Sequence, residues 1–129
     1  MSAGGSANAP HLPQPAPIDA YGDGGFRFAG MSHRGSLLCF PDGIWAWPVN
    51  NTGDLTAAAL AAAFERAGTL DFFLIGAGRD PWVLSENLRE RFRDLSLSVD
   101  VMPTGVAVRT YNILLAESRR VGAGLIAVA

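Results

Sequence analysis

Large apolar side chains recur at two different periods along the chain, and the change of period divides it into a β-rich half and an alternating half. Residues 18–21 read as a short extended piece, closed by the turn Gly22-Asp23-Gly24-Gly25. Phe26 and Phe28 then alternate with Arg27 and Ala29, the period of a half-buried strand. Gly30 and Gly35 predict a bend around His33-Arg34. Residues 36–40 predict a strand with Leu37 and Cys39 on one face and Leu38 and Phe40 on the other. Pro41-Asp42-Gly43 is a turn, since Pro sets φ, Asp bonds its own backbone and Gly accepts positive φ. Residues 44–47 return as a strand that places Trp45 and Trp47 on one face.

Beyond residue 55 the period lengthens. Thr56 predicts a cap for a helix over 57–67, with Leu60 and Phe64 on one face and Gly68 as its stop. Residues 71–75, Asp71 followed by a continuous apolar run, carry the mark of a strand covered on both faces. The loop 76–81 follows. Ser85 caps a helix through Leu95, with Leu88, Phe92 and Leu95 on its stripe. Leu97, Val99 and Val101 alternate as a strand. Pro103-Thr104-Gly105 leads into a helix over 106–120, with Thr104 as its cap, stripe positions Ala107, Tyr111, Leu114 and Ser118, and Ile113 and Leu115 beside the stripe. Arg119 and Arg120 fall in its last turn, where the helix dipole favours cations. Gly122 is read as its stop, and residues 125–128 as a last strand. The prediction is a single α/β domain: a mixed sheet whose β-α-β-α-β part is parallel with right-handed crossovers, joined to antiparallel hairpins.

Residues 1–17, rich in Ala, Pro, Gly, Ser and Asn, hold Leu12 as their large apolar core former. Such a stretch buries too little surface to offset its ordering entropy, so it is read as a disordered, dispensable tail before a domain spanning 18–129. It has neither the basic nor the apolar region of a secretory signal. The 129 residues carry ten cations, all Arg, against 12 acids, for a net charge of −2, a poor balance for nucleic-acid binding. The single Cys39 forbids an internal disulfide and a cysteine zinc cluster, and His11 and His33 leave little for a histidine site. No apolar run reaches the ~18 residues of a spanning helix. A bacterial cytoplasmic protein without metal or cofactor is the expectation.

Candidate chemistry is sparse. Cys39, between Leu38 and Phe40, reads as a small core hydrophobe. His33 has no serine elbow to serve, and Asp100 reads as a solvated strand residue. The outer face of the helix at 86–95, with Arg89, Glu90, Arg91, Arg93 and Asp94, reads as solvated. The one convergence is at strand ends. Gly76 and Gly78 lie in the loop after one parallel strand, and Thr104 and Gly105 in the turn after another. Adjacent parallel strands open such loops on one edge, where α/β folds bind ligands. Arg79 and Arg109 would reach the same crevice, and the helix start would favour an anion.

Three motifs carry a resemblance. They are Phe40-Pro41-Asp42-Gly43 with Trp47, then Ile75-Gly76-Ala77-Gly78, and most specifically Val99-Asp100-Val101-Met102-Pro103-Thr104-Gly105-Val106-Ala107-Val108-Arg109-Thr110-Tyr111-Asn112 with Leu115-Ala116-Glu117 and Arg119-Arg120. Over residues 18–128 the chain resembles the uncharacterised-domain family that includes the mitochondrial respiratory complex I assembly factor 3 and small bacterial and archaeal proteins. The resemblance implies a compact α/β fold with a β-hammerhead-like antiparallel portion. It also implies a non-enzymatic interaction or assembly role, with a protein partner in membrane-associated assembly machinery and a location peripheral to the inner membrane. Ala77 stands where the family often has Thr, and Pro103 where it often has Asp. The competing reading is a small-anion binder or enzyme using the crevice of Gly76, Gly78, Arg79, Thr104, Gly105 and Arg109.

Overall fold

The structure, a computed structural model, describes residues 9–129. Its strands are β1 (Ile18–Gly22), β2 (Gly25–Phe28), β3 (Met31–Arg34), β4 (Ser36–Phe40), β5 (Gly43–Trp47), β6 (Phe72–Gly76), β7 (Ser98–Met102) and β8 (Val121–Leu125). Its helices are α1 (Ala61–Glu65), α2 (Glu86–Asp94) and α3 (Thr104–Ala116). The antiparallel β1-β2-β3 makes one sheet, and the other has the order β5-β4-β8-β6-β7. Strands β7 and β8 both run parallel to β6, and β4 runs antiparallel to β5 and β8. The domain is thus a single compact α/β unit built on two sheets.

Two apolar clusters lie on opposite faces of the larger sheet. One holds Leu38, Phe40, Trp47, Phe73 and Ile75 under α1 and α2; the other holds Leu37, Cys39, Leu74 and Val121 under α3 and the small sheet. The β4 alternation and the two-faced burial of β6 follow from the period of 2 read in the sequence. In the first cluster the rings of Phe40, Phe73 and Phe92 stack in turn at 6.0 Å, and Phe64 meets Phe92 edge-on at 4.9 Å. Arg66 covers the end of this row, its guanidinium 4.4 Å from the Phe40 centroid and bound through two nitrogens to Asp42.

The expectations at element ends change in instructive ways. His33-Arg34 is not a bend but part of β3, paired with β2 through Phe26–His33 and Gly25–Arg34. The helix expected over 57–67 is regular only at Ala61–Glu65. Thr56 Oγ1 does accept from Ala59 N, and the far end tightens into a 3-10 turn in which Gly68 does not take positive φ. Helix α3 ends at Ala116 rather than Arg120. Ser118, at φ 61°, closes it with amide bonds from Ser118 to Leu115 O and from Arg119 to Leu114 O. Ser96, at φ 55°, closes α2 in the same way. These are Schellman closures with serine where glycine is usual, so composition did not announce them. Arg119 and Arg120 lie beyond the helix and pair with Asp71. Ile113 is 53% exposed.

Gly122 stops no helix: it lies inside β8, which ends where the last strand was expected to begin. Val121, Ala123 and Leu125 face one cluster, while the other face of β8 is Gly122 and Gly124. A Cβ on Gly122 would lie 3.0 Å from Phe40 and 3.1 Å from Phe73, and one on Gly124 would lie 2.6 Å from the Trp47 indole. The aromatic rings rest directly on this backbone.

The tail expected over 1–17 falls in two parts. Residues 1–8 lie outside the described residues. In the second part, the His11 amide donates to Ile44 O, Ile44 N donates to Leu12 O, and Ala16 is buried, so truncation through residue 17 removes contacts on the β5 edge. His11 also lies with its ring 4.9 Å from that of His33. Burial and the neighbouring His11 both hold His33 below its usual 6.5, against a smaller opposing pull from its contact with Ser36 O. An unfolded His33 therefore takes up a proton before the folded one does, and stability falls as pH drops below 6.5. Urea midpoints between neutral pH and the onset of carboxylate titration should show this decline, and His33→Phe should flatten it.

Candidate functional site

Between β6 and β7 the chain leaves the sheet in opposite directions. After β6 it goes to α2, which packs Leu88 and Phe92 on one face; after β7 it goes to α3, which packs Ala107 and Tyr111 on the other. This is a topological switch point, where open α/β sheets commonly hold ligands beyond their strand ends. All the residues expected to form a crevice lie here, and hydrogen bonds join the two loops at its floor. Gly78 N donates to Thr104 Oγ1 at 2.9 Å, and Thr104 N donates back to Gly78 O at 2.9 Å. The Thr104 hydroxyl donates in turn to Ile126 O at 2.7 Å, and Ile126 N donates to Gly76 O at 2.9 Å.

Thr104 is fully buried, and it is the first residue of α3 rather than its cap, a position held by Pro103 with no side-chain bond. Its one hydroxyl ties together the segments leaving β6, β7 and β8. The amides of Gly78 and Thr104, two of those that could cradle an anion, bond within the protein instead. Gly76 is enclosed, since a Cβ there would lie 3.1 Å from Ala107, Leu125 and Thr104. Ala77 is buried with its amide on Met102 O, and Pro103 is exposed with its carbonyl accepting Ala107 N.

Above this closed crevice lies a shallow depression of about 310 Å³ bordered by Tyr21, Gly78, Arg79, Gly105, Val106 and Arg109. The structure thus brings Arg79 and Arg109 to one depression, with Gly78 and Gly105 on its border and Gly76 and Thr104 beneath. Arg79 donates to Ala129 O. Gly105 is not a turn residue: it lies in the first turn of α3, where a Cβ would overlap the Tyr21 hydroxyl, so its lack of a side chain seats the Tyr21 ring. Tyr21 is 46% exposed and was passed over in the sequence, because nothing local distinguishes it from an ordinary strand tyrosine. Asn112 was also missed as a structural residue. Its side chain accepts from Ile18 N and donates to Ile18 O, both at 2.8 Å, fastening α3 to the edge of β1.

The remaining candidates hold structural places. Cys39 is fully enclosed, and burial pushes its thiol up to about 12, which leaves it protonated and unreactive at neutral pH. Tyr111, raised by burial and by nearby Cys39, holds its hydroxyl without a hydrogen-bond partner among the described residues. Asp100 is exposed on the edge strand β7. Among the described residues no three His, Cys, Asp or Glu side chains converge to hold a metal, and no helix is long and apolar enough to cross a membrane.

Residues 18–126 match the model of a family described as protein of unknown function (DUF498/DUF598). The chain is similar to an uncharacterised protein of Rhodobacter capsulatus, 43% identical over 110 residues that cover 85% of this chain and 83% of that one. It is also similar to NADH dehydrogenase (ubiquinone) 1 alpha subcomplex assembly factor 3 of Mus musculus, 27% identical over 115 residues that cover 89% of this chain and 62% of the relative. Among solved structures it is similar to a Bartonella henselae protein described as an outer membrane protein, with a TM-score of 0.88 and 46% identity over 92% of this chain and 100% of that one. A Mth938-like domain of Bordetella pertussis matches with a TM-score of 0.76 and 27% identity, over 87% of this chain and 85% of that one.

Thr104→Ala should cost about 3 kcal/mol, because it leaves the half-buried Gly78 N and the buried Ile126 O without partners. Thr104→Ser keeps both bonds and should cost about 1 kcal/mol through the lost methyl. Denaturant midpoints of the two variants separate this stitch from a simple helix cap, which serine and threonine supply alike.

Proposed function

Because the chain belongs to the DUF498/DUF598 family of proteins of unknown function, and because its likeness to a complex I assembly factor runs along 89% of its length, we propose that it is a non-enzymatic, assembly-factor-like protein. In this reading it binds protein partners and holds them, peripherally at the bacterial inner membrane, rather than turning over a substrate. The likeness to the assembly factors carries the proposal. The closed switch point supports it, since the usual place for small-molecule chemistry in such a sheet is filled by the protein's own hydrogen bonds. The relatives that bear the assembly-factor name are longer than this chain, which covers 62% of the mouse protein, so the activity of the whole relative is part of the proposal.

The test is recovery of the tagged chain from cross-linked native cells, membranes and cytosol processed apart. Subunits of NADH dehydrogenase should be recovered from the membrane fraction, and loss of the protein should lower the assembled enzyme. A chain that emerges alone, with NADH dehydrogenase unchanged in its absence, overturns the reading.

A second reading takes the depression as a small-anion site, on the observation that Arg79 and Arg109 both border it. Calorimetry with inorganic phosphate decides it. Binding weakened about 10-fold or more in the Arg79→Ala/Arg109→Ala double variant favours the anion site, since charge-assisted hydrogen bonds contribute about 1.5–3 kcal/mol each.

A further inference from the structure

The arginines are not evenly matched with carboxylates. Arg66 pairs with Asp42, Arg93 with Glu86, and Arg119 and Arg120 with Asp71. Arg91 lies over the Phe64 ring at 4.5 Å. Among the described residues, the side chain of Arg89 on α2 makes neither an ion pair nor a hydrogen bond; away from α2, those of Arg27, Arg34 and Arg109 make neither, and the sole side-chain bond of Arg79 is to Ala129 O. The latter four are exposed, and all four border depressions that meet at Tyr21.

Arg79 and Arg109 border the one over the start of α3. Arg27 and Arg34 border one of about 450 Å³ on the three-stranded sheet, which Tyr21 also borders. A third, of about 370 Å³, shares Tyr21, Gly105 and Arg109 and extends along α3 to Asn112. The pairing register explains the placement. Ala20 lies opposite Arg27, and Arg27 opposite Ser32, so these side chains share the outer face of the small sheet. Tyr21 lies opposite Phe26, on the inner face, where it rests on Gly105. Guanidiniums therefore flank β1 on both sides. Asp19 and Asp23 also border these depressions, neither within ion-pair distance of an arginine among the described residues. Among the side chains that border these depressions, four arginines stand against two aspartates, in a chain whose net charge is −2.

We propose that the surface around Tyr21, with Arg27 and Arg34 on one side of β1 and Arg79 and Arg109 on the other, is the docking surface for an acidic segment of a partner protein. This rests on the assembly reading and names the chemistry of the partner. The composition is that of a binding hot spot, an exposed tyrosine with arginines around it, beside apolar Val106 at 42% exposure. Charge complementarity selects the occupant. One small anion cannot contact guanidiniums on both sides of a strand, and the amides of Gly78 and Thr104 already donate within the protein. A flat lipid surface meets the same obstacle. A nucleic acid would lie against Asp19 and Asp23, whereas a protein segment can set a polar or basic residue there. Nor does the partner add a strand to β1 at Ile18, whose amide and carbonyl are held by Asn112. Recognition is by side chains, with electrostatics giving orientation and on-rate.

The test titrates the full chain with a labelled Glu-rich peptide carrying Leu at every fourth position, read by fluorescence anisotropy and by amide chemical shifts. Binding should fall with salt, and the shifts should centre on Tyr21, Gly105 and β2. Arg27→Gln/Arg34→Gln and Arg79→Gln/Arg109→Gln should each weaken binding about 10-fold, while Arg89→Gln/Arg93→Gln on α2 should leave it unchanged. Melting temperatures confirm that these exposed changes spare the fold. The proposal is overturned if the peptide does not bind the wild-type chain, or if its shifts map to α2. It is equally overturned if inorganic phosphate, phosphatidylserine vesicles or an oligouridylate bind this surface in preference to the peptide. Native partners retained in full by the fourfold Gln variant overturn this surface but leave the assembly reading standing. A wild-type chain with no native partner overturns the assembly reading, and the peptide titration then still decides the surface on its own.

Discussion

The fold depends on one narrow strand. Strand β8 runs through the middle of the larger sheet between β4 and β6, and one of its faces has no side chains beyond hydrogen. Because Gly122 and Gly124 stand there, Phe40, Phe73 and the Trp47 indole press against backbone. That contact lets the row of stacked phenylalanines extend from β4 through β6 to α2 without a gap. A methyl group at either glycine would meet an aromatic ring in an interior packed too densely to yield cheaply. The other face of β8 carries Val121, Ala123 and Leu125 and packs toward α3. One strand thus serves both cores.

The strand ends follow from the same arrangement. With β6, β7 and β8 parallel and adjacent, their exits crowd together at one edge of the sheet. Buried polar backbone there must find partners, and Thr104 supplies them through one hydroxyl that both donates and accepts. In many α/β sheets the same edge is left open and a ligand satisfies those groups. Here the protein satisfies them itself, which moves the question of function outward, from a crevice to a surface.

That surface is drawn from distant parts of the chain. Tyr21 belongs to the first strand, Arg27 and Arg34 to the small sheet, Arg79 to a loop and Arg109 to the last helix. Their meeting depends on Asn112 holding β1 against α3 and on Gly105 leaving room for a ring. Arginine suits such a place, since its stem packs while its planar fork remains available to a carboxylate. The pairing of Asp42 and Asp71 with Arg66, Arg119 and Arg120 elsewhere sharpens the contrast with this unmatched region.

Sequence alone determined the elements whose signal is local. The alternation of residues 36–40 gave β4 both of its faces, the apolar run after Asp71 announced a strand covered on two sides, and Ser85 marked the start of α2, because a period or a capping hydroxyl acts within a few residues. The three quoted motifs were enough to indicate the family. Tertiary structure decided what depends on a partner far along the chain. Gly122 and Gly105 look like turn residues until Phe40, Phe73 and Tyr21 are seen lying on them. Thr104 looks like a cap until Gly78 and Ile126 arrive beside it, and Leu12 looks unanchored until Ile44 offers an edge. The helix ends at Ser96 and Ser118 were hidden because serine reaches positive φ only where the surrounding bonds repay its strain. The candidate crevice was therefore legible as a place but not as a state. Spacing brings loops to one edge of a sheet, whereas only the packed chain shows that hydrogen bonds between Gly78 and Thr104 already join them.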